Sequence, residues 1–169
     1  MFNRQFSRFT ILVLFFCCSL LADAEKAGNH NIGIGAGFIT GYGLSYRQWI
    51  GRFGFQCTGA PFLFFDENSS STIASMGITA LAKIKETRYV NLIAYIGPHY
   101  HVNRNSYSSD LNAGTTRYDT FFFGGGPGLD FHFLNLSVSL MFGYCFRYEL
   151  DQKDYGTSFS GEFGFHYSY

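Results

Sequence analysis

The segment Gly156–Tyr169, with the sequence GTSFSGEFGFHYSY, decides the fold class. From position 159 on, every second side chain is aromatic or small, at Phe159, Gly161, Phe163, Phe165, Tyr167 and Tyr169. The positions between them carry Ser, Glu, Gly and His. A period of two is typical of a β-strand with one face in an apolar medium. A barrel in a lipid bilayer must pair its last strand with its first to leave no open edge, so we predict that this segment closes such a barrel.

The same alternation recurs in seven earlier segments, whose apolar positions begin near Ile32, Tyr42, Phe53, Ala74, Val90, Phe121 and Leu136. The connections are polar or contain glycine. Three short turns fall near Gly51, Glu86 and Asn135, and outward loops are expected near Thr40, Asn68, Ser108 and Gln152. The polar stretch Asn105–Thr116 is predicted to form the longest loop. We therefore predict an all-β fold, a closed antiparallel transmembrane β-barrel of about eight strands in up-and-down order.

Alternation alone does not say which face of the barrel is inside. The polar face carries most of the 20 glycines, and an eight-stranded barrel is barely wide enough for its own side chains. The apolar face is bulky and almost free of charge, and it would far exceed the exposed apolar area that monomeric soluble proteins tolerate. We predict that the apolar face meets lipid. The alternative is a soluble, lipocalin-like barrel that holds an apolar ligand inside.

The first 24 residues have the features of a secretory signal peptide. Arg4 and Arg8 precede the apolar run Phe9–Leu21, and Ala22-Asp23-Ala24 has the small-x-small form of a cleavage site. We predict a signal peptide at 1–24 and one barrel domain at 25–169. The formal net charge is +0, and no basic patch indicates binding to nucleic acid.

Several charged residues fall on the predicted inner face. Buried charges must be paired, so we predict an interior ion network that plugs the lumen. Its expected members are Arg47, Lys83, Lys85, Asp130, Arg147, Glu149 and Glu162.

Four residues of the last strand form a further pattern: Glu162, Gly164, Tyr167 and Tyr169. A polar residue, glycine two positions on, and aromatic residues at the third-last and last positions resemble the terminal signal of bacterial outer-membrane barrels. The predicted architecture is similar to that of the small OmpA/OmpX-type proteins. The resemblance implies recognition by the barrel-assembly machinery and an outer-membrane location with both termini in the periplasm. It also implies contact with outer-membrane lipid and lipopolysaccharide.

One short motif indicates possible chemistry. His166 and Ser168 lie two residues apart on the polar face, which is similar to the His-x-Ser element of outer-membrane lipid A deacylases. A serine nucleophile needs a base and an acid that orients the base, and Glu162 or Glu149 is available. The predicted alternation places both side chains on the inner face, away from a lipid substrate. The residues that follow the serine in the deacylase motif are also missing. We therefore expect no enzyme.

Histidines offer a second chemical hypothesis, since His99, His101 and His132 share the inner face and could ligate zinc. No cysteine or carboxylate cluster at metal-ligand spacing accompanies them, so we predict neither a metal nor another cofactor. The predicted function is a monomeric, non-enzymatic barrel with a structural or surface-interaction role. The alternatives are a lipid A-modifying hydrolase, a narrow channel and a soluble binder of apolar ligands.

Overall fold

The computed structural model describes residues 29–66, 69–109 and 112–169, so the predicted signal peptide lies outside the described residues. Eight strands follow one another: β1 (His30–Ala36), β2 (Gly43–Ile50), β3 (Phe53–Asp66), β4 (Ser69–Lys85), β5 (Val90–Ser109), β6 (Asn112–Phe133), β7 (Leu136–Glu149) and β8 (Asp154–Ser168). Each strand pairs with the next, and β8 pairs with β1 to close the barrel. All pairs are antiparallel, which confirms the predicted fold. In the part of the chain that the structure describes, no helix is long and apolar enough to cross a membrane.

The closing strand is the one that the sequence predicts. β8 pairs with β1 from Asn31↔Ser168 to Ala36↔Phe163, and Tyr169 N donates to His30 O at 3.1 Å. Its side chains alternate as expected: His166 is 0% exposed, whereas Phe163 is 42% exposed. The glycine-rich, polar face is therefore inside the barrel and the aromatic face is outside.

The inner face also contains an apolar layer. Leu81 and Ile93 interrupt the polar pattern of their strands in the sequence, and both are buried inside the barrel. They belong to one buried cluster: Ile39, Trp49, Leu81, Ile93, Tyr95, Phe122, Met141 and Cys145. These side chains form a buried apolar layer on the inner face of the barrel.

The connections define two ends of the barrel. Residues 51–52, 86–89 and 134–135 form short connections at one end, which we name the turn end. The described connections at residues 37–42 and 150–153 start from the opposite end, which we name the loop end. Gly51 and Leu134 both have positive φ, at 61° and 55°, as tight turns require.

The predicted loop at Asn105–Thr116 is wrong, because β5 and β6 continue through this stretch to Ser109↔Asn112. Polar side chains do not prevent a strand when backbone pairing supplies the hydrogen bonds. β4 pairs with this part of β5 and β3 pairs with β4, so four strands extend together. We name this extension the rim sheet; it comprises residues 61–66, 69–74, 103–109 and 112–118. Among the described residues, β2 pairs with β3 only as far as Gly59, and β7 pairs with β6 only from Thr120.

Candidate functional site in the barrel interior

The connection between β1 and β2 folds into the barrel. We name residues 37–42 the lumen loop; within it, Ile39 and Thr40 are both 0% exposed. The prediction of an outward loop at Thr40 is therefore wrong. Gly41 N donates to Gly37 O at 3.1 Å, which closes one tight turn, and Gly41 has a φ of 86°, in the region that favours glycine.

Glu162 of β8 binds this loop from one side. Its carboxylate accepts from Ile39 N at 3.0 Å, Thr40 N at 2.9 Å and Thr40 Oγ1 at 2.7 Å. The Ser160 hydroxyl also donates to the carboxylate. Hydrogen bonds to an ionised acceptor are stronger than neutral ones, so this one side chain firmly holds two consecutive backbone N–H groups of the loop.

Strands β4 and β5 bind the loop from the other side. His99 Nδ1 lies 2.9 Å from Phe38 O, and His99 Nε2 lies 2.9 Å from Ser75 Oγ. Because a carbonyl oxygen only accepts, Nδ1 carries the proton of this bond. Ser75 Oγ also accepts from Tyr42 N at 2.9 Å. The loop is therefore hydrogen-bonded at both ends of its turn.

Glycines supply the space that the loop occupies. A Cβ atom at Gly37 would overlap the Glu162 carboxylate, and one at Gly77 would overlap Thr40 O. The glycines that the sequence places on the inner face thus leave room for the lumen loop. The local sequence signal for the loop is Ile39, an apolar residue that follows Phe38 directly and so ends the alternation.

A second buried cluster centres on Arg47 of β2. Arg47 Nη1 lies 3.2 Å from Asp130 Oδ1, and both side chains are 0% exposed. Ser139 Oγ donates to the same Asp130 oxygen at 2.6 Å and accepts from Arg47 Nη1 at 2.9 Å. Gln56 Oε1 accepts from Arg47 Nε at 3.0 Å and from Nη2 at 2.7 Å. His132 Nε2 lies 3.2 Å from Asp130 Oδ2.

The structure separates the other residues predicted for the ion network. Lys83 Nζ pairs with Glu86 at 2.8 Å at the turn end, and this hydrogen bond lowers the pKa of the Glu86 carboxyl. Lys85 is exposed at the last position of β4. Arg147 pairs with Glu149 at 3.4 Å at the loop end. Only Arg47 and Asp130 of the predicted set form a fully buried ion pair among the described residues, and Glu162 binds the lumen loop instead.

The candidate catalytic residues have other partners. His166 Nε2 lies 2.9 Å from Ser45 Oγ, and the Ser168 hydroxyl donates to Asn31 Oδ1. The Glu162 carboxylate is occupied by the lumen loop and Ser160. These contacts do not form the serine–base–acid arrangement that nucleophilic catalysis needs.

The histidines that suggested zinc are divided between two places. The rings of His99 and His101 are 6.0 Å apart beside the lumen loop, whereas His132 lies beside Asp130 and Asn91. Across residues 29–66, 69–109 and 112–169, no group of three or more His, Cys, Asp or Glu side chains is placed to hold a metal ion.

No protein-family model matches the sequence, and no curated protein is significantly similar to it. Solved structures of similar shape include the N-terminal β-barrel domain of OprF from Pseudomonas aeruginosa, with a TM-score of 0.48 and 13% identity over 85% of this chain and 100% of that domain. Neisserial surface protein A (NspA) matches with a TM-score of 0.46 and 16% sequence identity, over 86% of this chain and 100% of the NspA chain. Ail, the attachment invasion locus protein of Yersinia pestis, matches with a TM-score of 0.46 and 17% sequence identity, over 85% of this chain and 99% of the Ail chain.

Proposed function

We propose that this protein is a bacterial outer-membrane β-barrel that acts without catalysis, as a structural or surface-interaction protein. The observation that carries the proposal is the outer wall of the barrel, where each of the eight strands exposes large apolar side chains. An exposed apolar surface on every strand of a closed barrel is expected in a lipid bilayer and not in water. Residues 1–24 act as the signal peptide for export.

The two ends of the barrel support an orientation. Outer-membrane barrels have short periplasmic turns and longer external segments. The turn end fits the periplasm, and the rim sheet at the loop end fits the cell surface. This orientation places the N-terminus of the barrel and the C-terminus in the periplasm.

Contacts with lipid and with the assembly machinery follow from this placement. Tyr167 and Tyr169 are half-exposed on the outer wall, whereas Glu162 and Gly164 face inward. We infer that the two tyrosines are the part of the terminal signal that the barrel-assembly machinery contacts. At the loop end, Arg104 and Arg117 are exposed cross-strand partners. Arg117 already pairs with Asp119 at 2.6 Å, so the guanidinium group of Arg104 is the one that suits a phosphate of lipopolysaccharide.

The rim sheet supports the surface-interaction role. Among the described residues, 61–66 of β3 pair only with β4, and 112–118 of β6 pair only with β5. Each outer strand therefore has one edge of backbone groups that no described strand covers. Such an edge can accept an extended segment of another protein by β-augmentation.

The packed interior supports a barrel that does not conduct. The apolar layer, the Arg47–Asp130 cluster and the lumen loop all lie across the lumen, and an eight-stranded barrel has little space beyond its own side chains. We infer that the lumen does not conduct ions, and that the barrel is a monomer because one chain closes the whole sheet.

Cell fractionation tests the proposal. After expression in a Gram-negative host, the protein should be recovered with the outer membrane, and its unheated band in detergent electrophoresis should migrate differently from its heated band. A known soluble periplasmic protein is the control in the same fractions. Recovery in the soluble periplasm, without a heat-modifiable band, would contradict the proposal and favour the lipocalin-like alternative.

A further inference from the structure

We propose that the lumen loop is a lid over the buried apolar cluster that contains Cys145, and that Glu162 is its latch. The inference rests on the proposed outer-membrane barrel and goes beyond it, because it assigns a moving part to the interior. Three features carry it: the concentration of the loop contacts on few side chains, glycines at both ends of the loop, and a buried thiol beside it.

The contacts of the lumen loop are concentrated on few groups. One carboxylate, that of Glu162, accepts both consecutive backbone N–H groups at the tip, Ile39 and Thr40, and the Thr40 hydroxyl. On the opposite side, Phe38 O and Tyr42 N are held by His99 and Ser75. Loss of the single carboxylate would leave two buried N–H groups without an acceptor, which favours a position of the loop in which water can reach them.

Glycines at both ends give the loop positions at which it can turn. Gly37 begins it, and Gly41, one residue before its end at Tyr42, has a φ of 86°. Glycine adopts positive and negative φ with similar ease, so rotation at these positions has a low conformational cost. β1 and β2 can therefore stay paired with their neighbours while the segment between them moves.

Movement of the loop would uncover Cys145. Ile39 is the only lumen-loop member of the described apolar cluster, and Cys145, 1% exposed, belongs to the same cluster. Ile39 Cδ1 lies 2.9 Å from the position of a Cβ atom at Gly124, and Gly124 is the cross-strand partner of Cys145. The native thiol thus reports on whether the loop is in place.

The experiment measures the rate at which a membrane-impermeant maleimide labels Cys145 in the folded, purified barrel. Cys57 is first replaced by serine, because it lies on β3 at an accessible position and would add background. In this background, Glu162→Ala should label about tenfold faster or more, because several hydrogen bonds to one latch are lost. Glu162→Gln, which keeps one acceptor oxygen, should give an intermediate rate. The matched control is Glu149→Gln, which removes a carboxylate at the loop end that does not touch the lumen loop.

Each variant is labelled only after its heat-modifiable band shows a closed barrel, so failure of the lid and failure of the barrel are separate results. If Glu162→Ala does not fold, Ser75→Ala decides the question, since it removes the acceptor of Tyr42 N and should also accelerate labelling. A labelling rate equal to that of the Glu149→Gln control, in a folded Glu162 or Ser75 variant, would overturn the proposal. The lumen loop would then be a fixed part of the core.

Discussion

Replacement of Asp130 by alanine should lower the free energy of unfolding by about 3–5 kcal/mol. The reason is the guanidinium of Arg47, which is 0% exposed and has Asp130 as its counter-ion at 3.2 Å. Without the carboxylate, a full positive charge stays buried with only the neutral acceptors Gln56 and Ser139. Neutral acceptors compensate the desolvation of a charge only in part.

Unfolding of Asp130→Ala is measured with denaturant in lipid vesicles. Trp49 is the single tryptophan of the chain and is buried, so its fluorescence reports the transition. Glu149→Ala is the control, because it breaks an ion pair whose Arg147 side chain is 47% exposed, and such pairs contribute about 1 kcal/mol or less. If both variants lose the same free energy of unfolding, the buried ion pair contributes no more to stability than the exposed one, and the prediction is wrong.

Replacement of Phe142 by arginine should destabilise the inserted barrel by about 2–4 kcal/mol, the cost of a charge on the lipid face near the bilayer midplane. Phe142 lies on the outer wall in the middle of β7, is 51% exposed and stacks on Phe159 at 6.4 Å between ring centroids. If lipid covers this surface, the guanidinium must either enter hydrocarbon or distort the bilayer. If water covers it, the same substitution should be nearly neutral.

The matched control for Phe142→Arg is Gln152→Arg in the exposed connection between β7 and β8, where a new charge stays in water. Both variants are compared with the wild type by denaturant unfolding in vesicles, with the heat-modifiable band as a second readout. Similar stabilities for the two variants would contradict a lipid-facing outer wall.

The fold could be predicted from the sequence because its signal is local. In β8, the alternation of Phe163 and Phe165 with small or polar residues is set by strand geometry and identifies the strand. The small residues on one face then identify the inner face, because an eight-stranded barrel is narrow. The parity of each strand then places every side chain inside or outside without knowledge of the neighbours.

The lumen loop could not be predicted in this way. Phe38 continues the alternation of Ile34 and Ala36, so the sequence indicates more strand where the chain turns inward. The residue that holds the loop, Glu162, is 123 positions from Ile39, and no local pattern connects them. The loop position is decided by tertiary contacts.

For the buried ion pair, the sequence identifies the two charged residues but not their contact. Arg47 and Asp130 are both identifiable as inward charges, but they lie on β2 and β6, which are not neighbours in the sheet. A contact across the lumen depends on the stagger of the strands and on side-chain length, and neither follows from pairing of adjacent strands. The seven charges predicted to face inward do not form one network, because Lys83 pairs with Glu86 at the turn end and Arg147 pairs with Glu149 at the loop end.

The most direct test of a lipid-facing outer wall uses tryptophan quenching by lipids with brominated acyl chains. The wild-type barrel has its indole inside, at Trp49, whereas a variant with Trp49→Phe and Phe163→Trp has it on the outer wall, at a position that is 42% exposed. In vesicles, brominated lipid should strongly quench the tryptophan fluorescence of the double variant. It should quench the fluorescence of the wild type much less. Equal quenching of the two proteins, or stronger quenching of the wild type, would show that the aromatic face does not meet lipid and would contradict the account.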